Sequence, residues 1–157
     1  MKHNEELIEV LNDLLRFNND RILGYQKAID ETSPESIDLL SVYDRMIEQS
    51  ERHKLELKDA IMIEGGKVDD DGTTNTGKLY RAWMEIKSVF NRNSDRSTLE
   101  SCEFGEDNIQ KAYKKAIESG TIKNSDTLQL ILEQQDSLWE SHNEIKKYRD
   151  NASLKDV

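Results

Sequence analysis

Apolar residues recur along this chain at steps of three and four, the spacing that lines one face of an α-helix. The first run is Leu7, Leu11, Leu14, Asn18, Ile22, Tyr25 and Ile29, which predicts a helix over 5–31. It closes at Thr32-Ser33-Pro34, where Ser33 can cap a second helix and Pro34 suits its first turn. That helix, over 34–64, carries Leu40, Tyr43, Met46 or Ile47, Ser50, His53, Leu57 and Ile61, and stops at Gly65-Gly66. A polar loop follows, and Leu79, Trp83, Ile86 and Phe90 then predict a short helix over 77–90. The third long helix, over 95–119, starts with Ser97 and Glu100 at capping-box spacing. Its stripe is Leu99, Cys102, Glu106, Ile109, Tyr113 and Ala116 or Ile117, and Gly120 ends it. The fourth, over 124–150, reads Leu128, Leu132, Gln135, Leu138 or Trp139, His142, Ile145 and Arg149, leaving 151–157 as a frayed end.

Connection lengths then fix a topology. Tight turns join the first long helix to the second and the third to the fourth, so each pair is an antiparallel hairpin. About thirty residues separate the hairpins, enough to span the bundle lengthwise and let the second and third helices run parallel. The expected architecture is all-α, one up-down four-helix-bundle domain over 1–157 with a long, helix-containing crossover. A shift of 88 residues lays Tyr25 on Tyr113 and Asn18-Asn19-Asp20 on Glu106-Asp107-Asn108. A shift of 89 lays His53 on His142. A helical hairpin repeated about a pseudo-twofold axis gives that pattern.

Composition narrows the partners. At 157 residues the chain can bury a core without a disulfide, and Cys102 is its lone cysteine. The net charge of -10 repels phosphate backbones and anionic bilayers, so nucleic acid and membrane are not expected partners. The first residues lack the apolar core of a signal peptide, and no apolar run reaches spanning length. Those features place the protein in the cytoplasm.

Candidate chemistry lies where polar residues interrupt the stripes: Asn18, Ser50, His53, Glu106, Gln135 and His142. Each falls near the middle third of its helix, so a bundle brings them to one depth. Burying a carboxylate and two imidazoles without partners costs several kcal/mol. Two readings account for them. Glu106, His53 and His142 could hold one Zn, Fe or Mn ion, with Asn18, Ser50 and Gln135 around them. Alternatively, the same groups form a hydrogen-bonded network that fixes helix register and does no chemistry. Asp69-Asp70-Asp71-Gly72 lacks the alternating ligands of a calcium loop. Cys102, Trp83 and Trp139 read as packing residues, and no phosphate loop or nucleophile elbow is present.

The order and spacing of these residues resemble the ferritin-like superfamily, rubrerythrin-type proteins in particular. Gly105-Glu106 with Tyr113 matches that pattern's third-helix element, and His53 and His142 match its two histidines. Asn18, Ser50 and Trp139 stand where it has glutamates, so three of its six ligands remain. From Glu5 to Asp150 the chain resembles more closely a bacterial family of ferritin-like bundles grouped under a domain of unknown function. Leu11-Asn12-Asp13-Leu14, Gly24-Tyr25, Arg52-His53, Arg81-Ala82-Trp83-Met84 and Cys102-Glu103 through Gly105-Glu106-Asp107 carry that likeness. The resemblance implies the fold and no particular activity. One Glu and two His cannot neutralise two divalent ions, which disfavours di-iron oxidase or peroxidase chemistry. Two functions therefore stand: a bundle holding a single transition metal at a degenerate site in a stress-related role, or a non-enzymatic structural module that meets a second copy of itself or a protein partner.

Overall fold

The computed structural model describes residues 2–69 and 94–155. Four helices make up that part: α1 (Lys2–Glu31), α2 (Ile37–Ile63), α3 (Asp95–Glu118) and α4 (Ser125–Lys155), and no strand occurs among the described residues. The short helix expected over 77–90, with Trp83, lies outside them.

Hydrogen bonds between helices fix their directions. On α1, Asn12 reaches Lys67 beyond the end of α2, whereas Arg21 reaches Met46 and Ser50, so α1 and α2 are antiparallel. Asn18 meets Tyr113 and Arg21 meets Glu106, which makes α3 antiparallel to α1 as well. In turn α3 and α4 are antiparallel, with Glu103 on Arg149 and Tyr113 on Gln134. Helices α2 and α3 therefore run parallel, as the expected crossover requires. The α1–α2 and α3–α4 hairpins are packed most closely, α1–α3 next, and α2–α4 most sparsely.

The helix ends follow local chemistry, with some departures from the expected boundaries. Helix α2 begins at Ile37, after Ser36, because Ser33-Pro34-Glu35 forms a turn in which the Ser36 amide donates to the Ser33 carbonyl at 3.0 Å. Ser94, three residues before Ser97, caps α3 by accepting from the Ser97 amide at 3.0 Å. Asn124 caps α4, accepting from the Asp126 and Thr127 amides at 2.8 and 3.2 Å. Past α2, Gly65 takes φ of 76°, the left-handed geometry in which a side chain is strained. Helix α4 continues to Lys155, beyond the expected stop at 150, and Ala152 is buried in the core. After α2 the chain is tied to α1, because Asn12 donates to the Lys67 carbonyl and accepts from the Asp69 amide, both at 2.9 Å.

The core divides into two apolar clusters. One gathers Leu7, Leu11, Leu57, Ile61, Ile109 and Leu138 at one end of the bundle, and the other gathers Tyr25, Tyr43, Met46, Leu99, Cys102 and Ile145 toward the opposite end. In α4 the buried stripe is Thr127, Ile131, Gln134, Leu138, Ser141 and Ile145. At Thr127, Ile131, Gln134 and Ser141 it lies one residue before the expected stripe, and it coincides with that stripe at Leu138 and Ile145. Apolar residues stand at 128, 130, 131 and 132, so α4 offers more than one inner face, and packing selects the one centred on Ile131 and Leu138. Trp139, expected in the core, is consequently 50% exposed.

Candidate functional site

Helix α1 places Asn18, Arg21 and Tyr25 on one face at steps of three and four, and all three are fully buried. Helix α2 presents Met46, Ser50 and His53 to them, α3 presents Glu106 and Tyr113, and α4 presents Gln134 and Ser141. These residues form a polar layer in the bundle interior.

At its centre lies an ion pair. The Arg21 guanidinium donates from Nε to Glu106 Oε2 at 2.8 Å, and neither side chain has solvent exposure. One terminal nitrogen of Arg21 donates to Ser50 Oγ at 2.8 Å and to the Met46 carbonyl at 3.2 Å, and the other lies 3.3 Å from Met46 Sδ. Tyr25 donates its hydroxyl to the same Glu106 oxygen in a short bond, with its ring 5.2 Å from the guanidinium carbon. Burial is the largest influence on the Arg21 pKa and lowers it, but the charge and hydrogen bond of Glu106 together with the Tyr25 and Tyr113 hydroxyls outweigh it, and the net direction is up. Burial and then the Glu106 charge push the Tyr25 hydroxyl well above its ordinary range, so it stays a donor.

A second set of bonds crosses the layer. Asn18 Nδ2 donates to the Leu14 carbonyl at 2.9 Å and to the Tyr113 hydroxyl at 3.0 Å. Tyr113 donates to Gln134 Oε1 at 2.6 Å, and Gln134 Nε2 donates to the His53 carbonyl at 3.2 Å and to Glu56 Oε1 at 2.9 Å. The His53 ring is buried, and its pKa falls to about 3 through burial first and then the Arg21 and Arg52 charges. Three acceptor-capable atoms in the layer, Asn18 Oδ1, His53 Nδ1 and Glu106 Oε1, have no hydrogen-bond partner among the described residues.

The internal repeat is visible in these bonds. Tyr25 on α1 reaches residue 106 on α3, and Tyr113 on α3 meets residue 18 on α1, so both ends of one contact are shifted by 88 residues in the other. Glu106 and Asn18 are thus counterparts. On α4 the buried counterpart of His53 at that shift is Ser141, whereas the expected match, His142, turns outward.

The three expected ligands do not assemble. Glu106 is held by Arg21 and Tyr25, and His53 is buried within reach of the Arg21 and Arg52 charges. His142 sits at the rim, its Nε2 2.5 Å from Asp107 Oδ1 and its ring stacked on Trp139 at 5.0 Å between centroids. Among the described residues no three His, Cys, Asp or Glu side chains form a group able to hold a metal ion. Of the residues expected around them, Asn18 and Ser50 are in the layer, and Gln134 takes the inner position expected of Gln135, whose backbone carbonyl accepts from Gln110 at 3.1 Å. The di-metal centre that the ferritin-like resemblance implies does not fit these residues, because a guanidinium already bonds the one carboxylate and three glutamate positions hold Asn18, Ser50 and Trp139.

Reading the stripes missed Arg21, Gln49, Gln134 and Ser141. The available signal for Arg21 was its position, three residues after Asn18 and four before Tyr25. An arginine beside an apolar stripe normally reaches out to water, so composition argues against burial there.

Comparison with known proteins agrees with this architecture. A mutant of Mycobacterium smegmatis Dps1 has a similar structure, with a TM-score of 0.80 and 16% sequence identity over 94% of this chain and 97% of that one. At that identity the likeness concerns the fold, a ferritin-like four-helix bundle. No curated protein matches the chain in sequence. Residues 6–119, more than half of the sequence, match the family described as a domain of unknown function (DUF2383), and the chain belongs to that family.

Proposed function

We propose that this protein is a non-enzymatic, ferritin-like helical module whose interior is neutralised by its own cation, Arg21, in place of a metal. The single observation that carries this reading is the Arg21–Glu106 bond, 2.8 Å long and fully buried at both ends. A divalent ion bound at Glu106 would share a dry site with the Arg21 guanidinium, setting two like charges side by side. The reacting groups of an enzyme are also poorly served here, since the Tyr25 hydroxyl is held protonated and the layer's bonds join fixed side chains. Such a network specifies register, and the outer surface is left to do the work. Exposed Leu55, Met62, Ile63 and Trp139 supply apolar contact positions on that surface for a second copy or a protein partner.

Metal analysis tests the reading. Protein purified without a tag or chelator should contain no stoichiometric Zn, Fe or Mn, and adding these ions should leave the melting temperature unchanged. One equivalent of bound ion, lost in both Glu106→Gln and His53→Gln, would replace this reading with the single-metal one. Sedimentation tests the interaction role, and a strictly monomeric protein that captures no partner would count against it.

A further inference from the structure

We propose that the bundle opens along its α2–α4 edge, with the α1–α3 contact acting as the hinge. Helices α2 and α4 make the sparsest of the four neighbouring contacts, although each is tied closely to its own hairpin partner. Apart from the two core clusters, polar side chains spaced along the edge join them. Arg45 pairs with Glu144 at 2.5 Å on the exposed surface. Gln49 donates to Ser137 Oγ at 2.5 Å and accepts from Ser141 Oγ at 2.9 Å. Gln134 donates to the exposed Glu56 at 2.9 Å. A groove of about 210 Å³ follows this edge, with Arg45, Gln49 and Ser141 among its lining residues.

Across the α1–α3 edge the bonds are of another kind. Arg21–Glu106, Tyr25–Glu106 and Asn18–Tyr113 are all buried, and one is a bond between full charges. Water can replace amide and hydroxyl partners with little loss as an edge opens, whereas an ion pair separated in a dry interior has no such substitute. The edge that parts first is therefore α2–α4. The described start of the crossover does not bridge it, because Lys67 and Asp69 are fastened to Asn12 and Arg16 on α1. Opening of this kind is a sub-global event, distinct from unfolding of the whole bundle.

Native-state thiol labelling tests it. Ser141 lies on the α2–α4 edge and Ala116 borders the α1–α3 groove, and both are 7% exposed. Ser141→Cys and Ala116→Cys are labelled in separate full-length proteins, with peptide mapping to distinguish the new thiol from Cys102. The expected result is labelling at least about tenfold faster at position 141, insensitive to low denaturant. Adding Gln49→Met to the Ser141→Cys protein should slow labelling at 141 by making the edge apolar. Equal rates at 141 and 116, rising together with denaturant, would overturn the proposal, as would a rate at 141 unaffected by Gln49→Met.

Discussion

Arg21 on α1 and Glu106 on α3, 85 residues apart in the chain, form a fully buried ion pair, and the Tyr25 hydroxyl donates to the same carboxylate oxygen. The pair brings one positive and one negative charge into a layer otherwise built from amides, hydroxyls and an imidazole. A carboxylate alone at this depth would be costly, and so would a guanidinium. Side by side they compensate each other, and Ser50 and the Met46 carbonyl occupy further guanidinium donors. Net stabilisation from such a pair is small against well-packed apolar residues, yet losing one partner is severe.

His53 should make the protein sensitive to acid. Its pKa is lowered from 6.5 to about 3 in the fold, so the unfolded chain binds the proton more readily. The stability associated with the neutral ring is fully present above pH 6.5 and is lost as the pH falls toward 3. The slope should approach about 1.4 kcal/mol per pH unit in that window. Urea denaturation at pH 7.5, 6, 5 and 4 (about one-unit steps) in parallel with His53→Gln isolates the effect. The variant should lose that part of the slope, and identical profiles would show that His53 does not titrate on unfolding.

Tyr25→Phe should destabilise the fold by about 1.5–3 kcal/mol, the range for a hydrogen bond to a charged group. The ring would keep its packing on Tyr43, whose centroid lies 5.7 Å away, so the loss reports the hydroxyl. Chemical denaturation measures it, and a change below about 0.5 kcal/mol would mean that Glu106 does not depend on this donor.

Adjacent positions on α4 should respond in opposite ways. Leu138 has no exposure, and its replacement by Ala should cost about 2–5 kcal/mol. Trp139 is half exposed and stacks on His142, so Trp139→Ala should cost about 1 kcal/mol or less despite removing more atoms. Melting of the two variants checks the rotated register of α4, and a larger loss at 139 would restore the expected stripe.

The helices were legible because their apolar positions repeat with the helical period, and the long second connection was legible as a length. Asn18, His53 and Glu106 could be placed inside for the same reason, since each interrupts an apolar row. His142 could not be placed, because apolar residues crowd two faces of α4 and one residue of rotation moves an imidazole from the core to the rim. Arg21 was hidden by its own chemistry. Its burial depends on Glu106, which lies far away in sequence, and periodicity carries no information about which helices face each other. The internal repeat was readable in part: the 88-residue shift appears as two matching tyrosine contacts, whereas the histidine match at 89 does not coincide with the buried register.

A double-mutant cycle between Arg21 and Glu106 measures how far each buried charge depends on the other. Stability is measured by urea denaturation for the native protein, Arg21→Met, Glu106→Gln and the double variant. Each single change should cost about 3–5 kcal/mol, while the double variant should recover much of that loss because no charge is left buried alone. A coupling energy below about 0.5 kcal/mol, the level of independent sites, would contradict that dependence.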